Sequence, residues 1–126
     1  MIRDILFKAR SYKNEWIEGY FWHNYFENYF IRRTFRPLDE YFTVEDIEVD
    51  PETVCQYSGC LDIKKNKLFE NDIVKSPANI WKVVFANGMF LLVDKNNQWT
   101  PLGTFFMYCE KIGNIFDNPE LFDNEE

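Results

Sequence analysis

Histidine, cysteine, glycine and proline are all scarce in this 126-residue sequence, which holds one His, three Cys and five each of Gly and Pro. The single histidine, His23, stands among aromatics with no Ser or Cys beside it, so no nucleophile and base are adjacent, and a packed or exposed structural histidine is the plainer reading. Cys55, Cys60 and Cys109 leave one thiol over under any disulfide scheme. With no charged-then-apolar segment at the N-terminus, the expected setting is the reducing cytosol. The same three thiols and His23 lack the second closely spaced ligand pair of a zinc site, so no metal or cofactor is expected. No apolar run nears the roughly 18 residues of a membrane helix. The best, Met89 to Val93, is strand length, and no membrane partner is expected.

Bases are also missing from the end of the chain. Beyond Lys111 come Asp117, Glu120, Asp123, Glu125 and Glu126, so residues 1–111 carry 14 bases against 16 acids and most of the net charge of −7 lies at the end. Residues 119–126 read as a solubilising, partly disordered acidic tail. The functional alternative is a polyanion mimic that occupies a basic surface.

What is abundant is aromatic: 13 Phe, seven Tyr and four Trp. Apolar residues come in runs of strand length between polar, Asn-containing clusters, which favours β structure over long helices. Ile5 to Arg10 and Glu15 to Trp22 read as a hairpin around Ser11 to Asn14, and Tyr29 to Phe35 as a third strand that Arg36-Pro37-Leu38-Asp39 ends. Between them, Tyr20, Phe21, Trp22, Tyr25, Phe26, Tyr29 and Phe30 fall in pairs four apart, as on a helix. Strand, turn, strand is preferred, because aromatics favour sheets and Asn24 and Asn28 suit a turn.

Further on, Asp50-Pro51-Glu52-Thr53 suits one helical turn with an Asp cap, and Ser58-Gly59 a turn. A meander follows, with strands at Asp72 to Lys75, Trp81 to Phe85, Met89 to Asp94 and part of Phe105 to Ile115, and the Asn87-Gly88 step has the chemistry of a tight hairpin. The expected fold is mainly all-β: small curved sheets and a partial SH3-like barrel, with one or two short helical turns. The length fits a single domain over 1–126, with an alternative division into β sub-units at 1–49 and 50–118.

One pattern is more specific. Val49 to Lys75 (VDPETVCQYSGCLDIKKNKLFENDIVK) and Ile112 to Leu121 (IGNIFDNPEL), together with Ile5-Leu6-Phe7, Arg10, Glu15-Trp16-Ile17, Gly19-Tyr20 and Val83 to Phe90, resemble the YopX family, small phage and prophage proteins without an assigned role. The chain departs from the family pattern at Cys55 and Asn71, where Gly is usual, and at Ser58, where Thr is. Asn tolerates the left-handed backbone that Gly would supply, so Asn71 keeps the geometry. The resemblance implies an all-β fold, a bacterial cytoplasm and homo-oligomers, and it brings no catalytic residues. The expected structural positions are Gly59, Phe69, Asn71, Asp72, Gly88 and Gly113. At the Glu70-Asn71-Asp72 corner, Asp72 is expected to accept backbone N–H groups, at a cost of about 0.5–2 kcal/mol for Asp72→Ala by analogy with lost caps.

No catalytic set is legible, and no enzyme is expected. Glu70 and Asp72 would share a face if one strand ran through both, as alternate residues do, but paired acids at turns are common without catalysis. An interaction or assembly module is favoured by a magnitude: about six aromatics left outside the core would expose roughly 900 Å², against about 300–600 Å² tolerated by a typical monomer. Trp16, Tyr20, Trp22, Tyr25, Phe26 and Phe30 are the candidate interface, and a homo-oligomer or another protein the candidate partner. The alternative is a single-stranded nucleic-acid patch of Tyr29, Arg32, Arg33 and Arg36, which the lack of a broad basic face disfavours.

Overall fold

The computed structural model of the chain describes residues 4–35 and 43–122, so the proline-centred break at Arg36 to Asp39, with the candidate patch residue Arg36, and the tail from 123 on lie outside the described residues. Eleven strands and four single 3-10 turns make up these residues, every strand pair is antiparallel, and no α-helix occurs among them. Two compact units are present, Met1–Gln56 and Tyr57–Glu126.

In the first unit, β1 (Phe7–Arg10), β2 (Trp16–His23), β3 (Tyr29–Phe35) and β4 (Thr43–Glu48) lie side by side in the order β4-β3-β2-β1. The segment from Trp16 to Phe35 is therefore strand, turn, strand, not a helix. Period-two alternation explains the sorting of its side chains. In β2, Ile17 and Gly19 are buried while Glu18 and Tyr20 are exposed. Ala9, Ile17, Ile31 and Val49 form the buried core, with Phe7, Phe21, Tyr29 and Ile47 packed around it. Past β4, Val49 bridges back to Ser11 and Asp50 N–H donates to the Arg10 carbonyl at 2.9 Å. The expected turn at Pro51–Thr53 is present, with Asp50 as its cap. β4, three of whose six residues are acids, differs from the loop expected there.

Gly19 is needed for room. A Cβ there would collide with the Arg32 carbonyl on β3 and come within 2.9 Å of Ile31 Cγ2. Gly19→Ala is therefore expected to cost about 2 kcal/mol, the range of overpacking. A melting temperature equal to that of the unaltered protein would show that β2 and β3 can part without penalty.

In the second unit, the strand β5 (Cys55–Leu61), whose first two residues belong to the first unit, pairs with β6 (Lys67–Phe69). The expected turn at Ser58-Gly59 is instead an irregularity inside β5, where Gly59 takes φ 89° and the register with β6 shifts. A bulge absorbs the extra residues without ending the strand. Cys55 keeps ordinary strand backbone, so no glycine is required there; its thiol donates to the Thr53 carbonyl at 3.2 Å.

The main sheet of this unit orders β10 (Trp99–Pro101), β9 (Met89–Val93), β8 (Ile80–Ala86), β7 (Asp72–Lys75) and β11 (Glu110–Asn114) as β10-β9-β8-β7-β11. β10 and β11 are its edges, so among the described residues the sheet is open and does not close into a barrel. Leu68, Val74, Val83, Leu92, Leu102 and Cys109 form its core. The tail is ordered further than expected: Pro119–Leu121 makes a 3-10 turn and the Phe122 ring lies 5.3 Å from Lys82 Nζ.

Three-residue loops recur in both units with one construction. The residue before each loop, Ser11, Asn24, Asp62 or Asp94, accepts through its side chain from the N–H groups two and four positions on. The last loop residue, Asn14, Glu27, Lys65 or Asn97, takes positive φ. This is a turn closed by a left-handed residue, with the polar side chain replacing missing ladder partners.

Candidate interaction surface

The sheet register of the first unit brings most of the expected interface residues to one face. Tyr20 stands opposite Arg32 and Trp22 opposite Phe30, while Arg32 faces Asp46 and Phe30 faces Glu48 on β4. Trp16, Tyr20 and Trp22 share the outer side of β2, away from Ile17 and Gly19. The rings of Trp22 and Phe30 stack with centroids 4.7 Å apart. The Arg32 guanidinium lies 5.4 Å from the Trp22 ring, and Lys8 Nζ lies 4.8 Å from that of Trp16.

At the tip, the Asn24 side chain binds the N–H groups of Phe26 and Asn28 at 3.0 and 2.9 Å, and Glu27 takes φ 62°. This hydrogen-bonded loop holds Tyr25 and Phe26 out to solvent, 91% and 80% exposed, with their rings 5.5 Å apart. Two aromatics this bare on an ordered turn have no covering role inside their own unit. His23, also exposed, sits against Tyr29 with ring centroids 5.5 Å apart and its Nδ1 3.2 Å from the Asn24 carbonyl oxygen.

Arg32 and Arg33 do not share a face. As neighbours on a strand, Arg32 and Arg33 point to opposite sides. Each meets an acid of β4: Arg32 binds both Asp46 oxygens at 2.9 and 3.1 Å, and Arg33 binds Glu45 at 3.0 Å. Hydrogen bonds from Arg32, and then from Trp22, hold the Asp46 carboxyl below its usual range. Tyr29 belongs to the core side, packed against Phe21. β4 was the element missing from the sequence reading; its Glu45 and Asp46, adjacent acids facing opposite sides and so matched to the adjacent Arg32 and Arg33, are the signal that could have found it.

The polar groups of the second unit serve the fold. Asp72 is fully buried, accepts the Phe69 N–H at 2.8 Å and pairs with Lys111 Nζ at 3.1 Å. Asn71 takes φ 70°, and its N–H donates to the Val83 carbonyl. Gly88 takes φ 80° in the expected two-residue hairpin between Ala86 and Met89, and Gly113 lies at a register shift of β11 beside the Asn118 side chain. Asp62 is buried, which pushes its carboxyl up, but N–H donors from Lys111, Asn66 and Lys64 outweigh this and hold it below the usual range. Burial, and then the charge of Asp62, push the Cys109 thiol up to about 11, and burial raises Cys60 as well. Thiols so shifted are protonated at neutral pH and poor nucleophiles. Among the described residues, no group of three His, Cys, Asp or Glu side chains is placed to hold a metal ion. No helix among them is long and apolar enough to cross a membrane.

An antiparallel β protein with an aromatic sheet face and a protruding aromatic loop is thus defined. The family model described as YopX protein matches residues 7–123, and the chain belongs to the YopX family. No curated protein matches it. The crystal structure of protein EF1440 from Enterococcus faecalis is similar in fold, with a TM-score of 0.58 and 20% identity over 95% of this chain and 99% of that one.

Proposed function

We propose that this protein is a non-enzymatic interaction module of phage or prophage type that assembles with copies of itself in the bacterial cytoplasm, through the aromatic surface of residues 16–30. The single observation that carries the reading is the exposure of Tyr25 and Phe26, 91% and 80%, on a loop held in shape by Asn24. Aromatic side chains dominate binding hot spots, and a preformed loop loses little freedom when it docks. The buried carboxylates support the non-enzymatic part, because Asp62 and Asp72 are engaged by the backbone groups of their own turns. The meander of β7 to β10 supports a partial, SH3-like scaffold in the second unit. A strand-binding nucleic-acid role draws less support, with Arg32 and Arg33 neutralised on opposite faces.

Light scattering at high protein concentration tests this. The expected result is a mass of at least two chains, reduced to one chain by Tyr25→Ser with Phe26→Ser while the melting temperature stays within about 2 °C, as for other exposed substitutions. A single-chain mass for the unaltered protein would reject self-assembly.

A further inference from the structure

A second apolar surface lies on the other unit. On the sheet face opposite the Val83 and Leu92 core, Val84, Met89, Leu91, Val93 and Trp99 line a groove of about 220 Å³ with Asn87 and Asn97 at its rim. Met89 and Trp99 form exposed walls, 41% and 62% accessible. A cavity of about 150 Å³ already accepts a benzene ring, whereas drug-sized ligands need about 300 Å³ or more. The groove therefore has the capacity for one aromatic side chain and little else. Lys82 stands opposite Val93 on the same face, its Nζ 5.3 Å from the Phe122 ring, and gives that end of the groove a positive charge. The tip of the first unit has the matching properties, with an exposed benzyl group at Phe26 followed by exposed Glu27.

We infer that the Tyr25-Phe26 tip of one copy inserts Phe26 into the Val84, Met89, Leu91, Val93 and Trp99 groove of a second copy, with Glu27 of the first beside Lys82 of the second. The inference rests on the self-assembly proposed above and specifies its geometry. Each such contact joins the tip of one copy to the groove of another, so it needs one intact tip and one intact groove. Opposite charge at the rim fixes the register of the insertion and speeds encounter, while the ring in the groove slows release.

A mixing experiment tests it. Phe26→Ser removes the knob and leaves the groove; Met89→Glu places a carboxylate in the groove and leaves the knob. Each variant alone is expected to have the mass of one chain, and an equimolar mixture the mass of two, since one productive tip and one productive groove remain. Melting temperatures near that of the unaltered protein confirm folding. Trp99→Glu, at a more exposed side chain, replaces Met89→Glu if the latter melts early. If Met89→Glu assembles like the unaltered protein while Phe26→Ser does not, the aromatic tip still mediates assembly but the groove is not its receptor. If both variants are single chains and their mixture stays so, the tip-to-groove contact is likewise overturned. A single-chain mass for the unaltered protein would overturn the inference together with the assembly it rests on.

Discussion

Asp72→Ala is expected to lower stability by about 3–4 kcal/mol, more than a lost surface cap would cost. A cap at a solvated turn contributes about 0.5–2 kcal/mol because water replaces part of what is lost. Asp72 is 0% exposed, so water does not reach the Phe69 N–H that it binds, and a buried donor without a partner costs about 1–3 kcal/mol by itself. Removing the carboxylate also strips Lys111 of its ion partner 3.1 Å away. Breaking a buried pair costs about 3–5 kcal/mol; the Lys111 side chain is 25% exposed and keeps some hydration, which places the total at the lower end. Asp72→Asn separates the two contributions. Its amide oxygen can still accept from Phe69, so it should lose about half as much, a difference readable in urea midpoints at constant m. Equal midpoints for the alanine variant and the unaltered protein would remove Asp72 from any structural role.

Asp62 should produce the next largest loss, and a pH dependence with a definite sign. One of its oxygens accepts the N–H groups of Lys64 and Asn66 at 2.9 and 2.8 Å, and the other accepts that of Lys111, on β11, at 2.8 Å. Asp62→Ala therefore unties a turn and a strand together, an expected loss of about 3 kcal/mol after water resolvates the exposed turn. Because these donors favour the ionised form, the folded carboxyl titrates below its unfolded counterpart. The unfolded value is about 3.9. Its contribution is full above that pH and disappears as pH falls through the lower folded value. Asp94, held down first by Asn79, acts in the same direction. Melting temperature should thus fall steeply below about pH 4, and Asp62→Asn should flatten that fall. Parallel curves for the two proteins would mean that Asp62 carries no share of the acid sensitivity.

Much of the fold was legible because its causes are local. The hairpin from Phe7 to His23, the turn that Asp50 caps, and the Asn87-Gly88 connection follow from alternation, capping and tolerance of positive φ, each visible within a few residues. The competing aromatic helix lost because the same residues, paired across β2 and β3, put Ile17 and Ile31 on one side and Trp22 and Phe30 on the other. β4 was illegible for the converse reason. Thr43–Glu48 is half acidic and reads as loop until the Arg32 and Arg33 partners 14 and 12 positions away neutralise it. Gly59 misled in another way, since positive φ serves a bulge as well as a turn. Of the candidate surface, the aromatic residues were identified from the sequence, but the groove was not, because Met89 and Trp99 are ten positions apart and come to line one groove only through the pairing of β9 with β10.

By itself the sequence determined that the chain is a β protein of the YopX family, rich in aromatics and poor in reactive groups. Only the tertiary structure decided which aromatics stay uncovered, which acids are consumed by turns and which arginines are neutralised. The first set of properties depends on each residue's own backbone preferences and alternation, which neighbours in sequence suffice to express; the second depends on strand register and burial, which exist only once distant segments have paired.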